Sequence, residues 1–150
     1  MFREADEELF EDNPEEYIRK DIEGSDIDTR RRSACDLVRG LCKFYEVAVT
    51  NIFSEYVNHL LQQYTQDTQN NWKAKDAVIY IVTSLATKKS TAKHGTTETN
   101  QLVNLLDFYG AQILPDLSAP NVDEFPVLKA DAIKYVITFR SVVCTLLYYY

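Results

Sequence analysis

An eight-residue pattern occurs twice in this chain: Asp76-Ala-Val-Ile-Tyr-Ile-Val-Thr83 returns as Asp131-Ala-Ile-Lys-Tyr-Val-Ile-Thr138. A looser echo, Ser33-Ala-Cys-Asp-Leu-Val38, places Ala34 where the others have Ala77 and Ala132, and Val38 where they have Ile81 and Val136. From alanine to alanine the spacings are 43 and 55 residues. Self-similarity at about 40–47 residues marks two-helix HEAT or armadillo units, whose apolar faces are buried only by stacking on a neighbour. The second interval exceeds that period by about ten residues. Residues 88–99, KKSTAKHGTTET, are polar and lack apolar periodicity, so they are expected to be an inserted loop.

The remaining composition agrees with helices. With four Gly and four Pro in 150 residues there is little turn chemistry for an all-β fold, while 45% hydrophobic residues suffice for one domain. No apolar run reaches the ~20 residues that cross a bilayer, and the first ten residues are acidic where a leader would be basic and then apolar. No membrane insertion is therefore expected. Of three cysteines, Cys35 and Cys42 are seven apart on one predicted helix, about 10 Å at ~1.5 Å per residue, beyond disulfide reach. A reducing compartment, cytoplasm or nucleus, follows.

Charge is concentrated at one end. Residues 1–28 contain twelve acidic and three basic side chains, a formal minus nine, whereas the whole chain is minus seven. The other 122 residues come to only plus two, too little positive charge to point to a nucleic-acid role. Within the acidic segment, Leu9 and Phe10 are the main apolar anchors of a first helix. Asn13 and Pro14 then predict a helix over 14–22, with Asn13 as cap, Pro14 at the first position and Glu15 and Glu16 favouring its dipole. Tyr17, Ile18 and Ile22 give it a stripe able to lie on a larger body.

The expected architecture is an all-α HEAT-repeat solenoid of two and a half to three helix pairs, at about 29–65, 71–117 and 125–150, after the acidic segment 1–28. The first pair comprises a helix over 29–45, with Ala34, Leu37, Val38, Leu41 and Phe44 or Tyr45 inward, and one over about 50–64, with Ile52, Phe53, Tyr56, Val57, Leu60 and Leu61 inward. A central helix from Asn71 is apolar enough to be covered on two sides. Thr99 or Asn100 is expected to cap the next, with a kink or stop at Pro115. The third repeat starts at Phe125 or Pro126, with Leu128, Ala132, Ile133, Val136, Ile137 and Phe139 inward, and its partner helix is incomplete over 141–150. Such an uncapped end exposes apolar surface through which copies of the chain can associate.

No catalytic set emerges. Glu15 and Glu16 point to different sides of a helix, His59 and His94 have no Cys or His at metal spacing, and four scattered glycines make no phosphate loop. Neither a metal nor a cofactor is expected; Cys42 with His59 is the one nucleophile–base pairing left to test. Two features are open to a partner: the acidic segment, and the run Arg30, Arg31 and Arg32, which opposes its helix dipole. That run either pairs with Asp26, Asp28 and the preceding glutamates or reaches an acidic surface on another protein.

Four blocks, in order, carry a resemblance: Glu11-Asp-Asn-Pro-Glu-Glu-Tyr-Ile-Arg19, Asp28-Thr-Arg-Arg-Arg-Ser-Ala-Cys-Asp-Leu-Val38, Asn71-Trp-Lys-Ala-Lys-Asp-Ala-Val-Ile-Tyr80 and Glu124-Phe-Pro-Val-Leu-Lys-Ala-Asp131. Together they resemble the middle of the importin-β (karyopherin) superfamily, nearest its branch that returns importin-α to the cytoplasm. An import receptor would share the first block and not the other three. The resemblance implies a HEAT superhelix that binds RanGTP and importin-α, working in nucleus and cytoplasm as a receptor and not an enzyme. It further implies that the acidic stretch is the family's central-repeat insertion, which touches Ran and acts as a hinge. On this reading the contact residues are Glu15, Glu16, Arg19, Asp21, Arg30, Arg31 and Arg32. Residues 141–150 depart from the family pattern, as a truncated or alternatively spliced form would, and a scaffold without transport activity is the alternative.

Overall fold

The computed structural model describes residues 4–23 and 30–147, and the side chains within those spans apart from residues 4, 18, 20–23, 30 and 144–147. The expected turn at Gly24-Ser25-Asp26 and the cap at Asp28 lie outside them. Two short helices come first, α1 (Glu4–Asp12) and α2 (Pro14–Glu23). Asn13 caps α2 as its chemistry requires: its Oδ1 accepts from the Glu16 backbone N–H at 3.2 Å, and its Nδ2 donates to Glu16 Oε2 at 3.3 Å. α3 (Arg30–Gln66) is one run broken only at Tyr45, where φ −134° and ψ 37° leave the helical region. This break is the boundary between the two helices expected over 29–45 and 50–64.

α4 (Trp72–Ala86) is the centre of the molecule, packed against both α3 and α7 (Pro126–Thr138). Its Val78, Ile79, Val82 and Ala86 meet Val57 of α3 and Leu128, Ala132, Tyr135 and Phe139 from α7 and its end in one core cluster. The double coverage follows from its composition, since an apolar stripe this broad cannot be buried by one neighbour. α4 begins after Asn71, whose side-chain Nδ2 donates to the Gln63 carbonyl at 2.8 Å and so fixes the turn between α3 and α4.

Residues 88–99 are not a loop. They belong to an antiparallel hairpin, β1 (Thr87–Thr91) and β2 (Gly95–Thr99), with two register irregularities along its length. The threonines are β-branched and suit strands, and Gly95 turns the chain at φ +70°, a conformation that favours glycine. A Cβ on Gly95 would lie 2.5 Å from the Thr138 carbonyl oxygen, so the turn also needs glycine for its close approach to α7. The hairpin docks on α8 (Arg140–Leu147), the helix expected to be incomplete. Ser141 Oγ donates to the Thr96 carbonyl at 2.7 Å and Arg140 Nη2 to that of Ala92 at 2.6 Å.

The following helix starts later than expected. Asn100 is buried and spent on a bond from its Nδ2 to Thr50 Oγ1 at 3.0 Å, so Asn104 caps α5 (Leu105–Phe108) instead, accepting from the Asp107 N–H. α5 continues through a π-helical turn, Tyr109–Ile113, into α6 (Leu114–Ser118). Pro115 therefore neither stops nor sharply ends the helix: it sits in the first turn of α6, where its missing N–H is tolerated, directly after the widened turn. Lys75 of α4 ties to α6 by a 2.7 Å bond to Asp116, and burial holds the Asp116 carboxyl above its ordinary range despite the opposing Lys75.

Two expected apolar faces are only partly buried. On α3, Leu37, Leu41, Phe44 and Tyr45 are exposed, Phe44 at 81%, and so are Ile52 and Tyr56. Only Val57, with Leu60, Leu61 and Tyr64 packed behind it, joins the core, because α4 covers that side of the helix. On α7, Ile133 and Ile137 are each 44% exposed, and the buried side is Val127, Leu128, Asp131, Ala132, Tyr135 and then Phe139. No described helix is long and apolar enough to cross a membrane.

Candidate partner-binding surface

The acidic segment is anchored to the solenoid by a small apolar cluster. Tyr17 of α2 and Val127 of α7 are its buried members, with Leu9, Phe10 and Trp72 packed around them. Phe10 and Tyr17 meet edge to face at 5.4 Å between centroids, an arrangement the ring quadrupoles favour. Lys73 of α4 adds a 2.6 Å bond to Glu7 of α1. α1 and α2 thus lie across the starts of α4 and α7. This leaves Glu15, Glu16 and Arg19 exposed on the outside of α2.

The three arginines separate. Arg31 turns inward, with Nη2 3.4 Å from the carboxylate of the fully buried Asp76, Nη1 donating to the Tyr17 hydroxyl at 3.3 Å, and the guanidinium 4.2 Å above the Tyr80 ring. Among the described residues its carboxylate partner is an aspartate 45 residues on; Asp26 and Asp28, the partners expected from the sequence, lie outside those residues. On the far side of Tyr80, Lys134 of α7 lies 4.8 Å from the ring centroid and donates to its hydroxyl at 3.2 Å. Arg31, Asp76, Tyr80 and Lys134 therefore join α3, α4 and α7, and Tyr17 attaches α2 to the same knot. Arg32 instead pairs with Asp36 at 3.5 Å, both about half exposed, an i,i+4 contact worth little. The side chains of Asp21 and Arg30 lie outside the described residues.

Asp76, Tyr80 and Lys134 were not singled out by the motif reading, although a signal for them was present. Asp76 and Asp131 open the two copies of the repeated pattern, and both are buried, at 0% and 2% exposure. A lone carboxylate leading an apolar helix cannot be left uncompensated in a core. The tyrosines four residues on also correspond: Tyr135 is buried, its hydroxyl donates to the Leu105 carbonyl at 3.0 Å, and burial pushes its pKa up.

The Cys42–His59 pairing has no support in local chemistry. Burial, then the negative Glu46, push the Cys42 thiol up, opposed by Lys88, whereas a working nucleophile needs the reverse. His59 is exposed and shares a hydrogen bond with Gln63 at 3.1 Å. Among the described residues no group of three or more His, Cys, Asp or Glu could hold a metal. What this surface can do chemically is bind: it offers exposed carboxylates on a short helix held against a rigid body.

Known proteins contain segments similar to this chain. The Cse1 family model matches residues 1–147. Exportin-2 from Oreochromis niloticus is 69% identical over 140 residues, and exportin-2 from Danio rerio and Homo sapiens are 68% and 67% identical over the same length. Each match covers 93% of this chain and 14% of the relative, so the chain spans about one-seventh of the length of these relatives. A solved structure of the exportin Cse1 in its cargo-free, cytoplasmic state superposes with a TM-score of 0.86 at 47% identity, covering 93% of this chain and 15% of that one. A family match over nearly the whole sequence, and a helical solenoid that superposes on a member of that family, lead to one assignment: the chain belongs to the Cse1 (exportin-2) family.

Proposed function

We propose that this chain is part of a nuclear export receptor that carries importin-α to the cytoplasm in complex with RanGTP, and that the outer face of α2 meets one of those partners. The observation that carries this reading is the 67–69% identity to exportin-2 proteins across 140 residues. The family match, over residues 1–147, takes in the acidic helices as well as the core. Such a receptor binds and releases, moves between nucleus and cytoplasm, and needs no cofactor. Glu15, Glu16 and Arg19 are the contact residues the geometry leaves accessible, and Arg32 on α3 is exposed as well, while Arg31 acts from beneath by holding α2 in place; Asp21 and Arg30 are included in the proposed contact set on the family resemblance alone.

Retention on immobilised importin-α, with and without RanGTP, tests this on the 150-residue chain and on a full-length relative. RanGTP-dependent retention that weakens with Glu15→Gln and Glu16→Gln supports the reading. Unchanged retention in both variants refutes the α2 surface. The alternative is an interaction scaffold without transport of its own. Importin-α retention indifferent to RanGTP supports that scaffold over the receptor.

A further inference from the structure

α1 does not lie flush on the solenoid. Between it and the starts of α4 and α7 is an open cleft of about 270 Å³. Phe10, Trp72 and Phe125 supply its apolar wall and Glu7, Glu11 and Glu124 its acidic groups, and among the described residues no lysine or arginine lines it. The three carboxylates are not equivalent. Glu7 is held by Lys73 at 2.6 Å. Glu124 accepts only from the neutral Gln69 amide at 3.1 Å, which leaves its charge in place. Glu11 is exposed and has no ion-pair partner among the described residues.

We propose that this cleft receives one lysine or arginine side chain from a basic segment of a partner protein. The aliphatic stem lies against Phe10 and Trp72, and the cationic head is held by Glu11 and Glu124. Three observations select this occupant. The volume falls just short of the ~300–1,000 Å³ typical of sites for drug-sized ligands, so it suits a single long side chain. The unbalanced charge is negative, with an aromatic face beside it, the combination that attracts a cation. The chain also makes this contact once itself, since Lys73 lies 5.5 Å from the Trp72 ring centroid while bound to Glu7. Because α1 forms one wall, occupancy favours the docked position of the acidic segment. The inference rests on the cleft and not on the export reading.

Trp72 is the only tryptophan in the chain, so its fluorescence reports on the cleft directly. The probe is a short peptide alternating lysine and alanine, compared with one in which norleucine replaces lysine. A saturable change in Trp72 emission is expected with the lysine peptide alone. Glu11→Gln and Glu124→Gln should each weaken it by about two- to fivefold, the range for exposed charge pairs. Glu55→Gln, on α3 away from the cleft, should leave it unaltered. Glu11, Glu124 and Glu55 are all exposed, so the fold is not at risk in any variant. An absent response, an equal response to the norleucine peptide, or equal weakening by Glu55→Gln would each overturn the proposal. A lysine response persisting where importin-α retention fails would leave the cleft standing without the export reading.

Discussion

Replacing Arg31 by methionine keeps most of its length and removes the guanidinium that faces Asp76. Asp76 is wholly buried, so the variant leaves a carboxylate in the core without its cation, and breaking a buried pair in this way costs about 3–5 kcal/mol. The contacts here are 3.3–3.4 Å, longer than the ~2.7–2.9 Å of strong charge-assisted bonds, which places the expected loss near 3 kcal/mol. For a chain of this size that is a fall of roughly 6–12 °C in Tm, followed by circular dichroism. The reverse change, Asp76→Asn, should cost less, because the Arg31 side chain is 16% exposed and its charge can turn to water. Arg31→Met with Asp76→Asn should fall short of the sum of the single losses, as expected for groups in contact. Loss of the Tyr17 bond should also make α2 more open to limited proteolysis. A Tm within about a degree of the parent for Arg31→Met would refute the argument and return Arg31 to the set of partner-facing residues.

Two further outcomes are expected. Ala132 is fully buried in the core, so Ala132→Leu should overpack it by about 1–3 kcal/mol, whereas Ala77→Leu at the equivalent but partly exposed position should cost less; chemical denaturation midpoints compare them. The Cys42 thiol, raised above its ordinary value by burial and then by Glu46, is mostly protonated where a free thiol has begun to ionise. Its alkylation by iodoacetamide at mildly alkaline pH should therefore be slower than that of free cysteine, and Glu46→Gln should speed it by lowering the pKa, read site by site by mass spectrometry.

Helix existence was legible because it rests on local pattern. The Asn13-Pro14 start, the break near Tyr45, the α4 start at Asn71 and the α7 start at Pro126 all follow from caps, prolines and apolar spacing. Helix rotation was less so. Ile133 and Ile137 have the same spacing as true core residues, and only the placement of α4 and α8 decides that Leu128, Ala132 and Tyr135 face inward. The hairpin was hidden because its strands are polar; the signal was the cluster of threonines on either side of Gly95, not hydrophobic alternation. At the candidate surface, the charge pattern could not reveal the Arg31–Asp76 pairing, since Asp76 is distant in sequence and the pairing exists only once α3 and α4 pack.

The cluster of Tyr17, Phe10, Trp72 and Val127 has a mechanical consequence. Solenoid curvature is the accumulation of small rotations between successive units. Trp72 opens α4 and Val127 lies at the start of α7, and the two helices carry the two copies of the repeated pattern, so α1 and α2 form a strap fastened to both units at once. Any change in the angle between those units must shear this fastening or expose its aromatic surface, at about 25 cal/mol for each Å² uncovered. The docked strap therefore resists a change of angle at this joint, and releasing it removes that resistance.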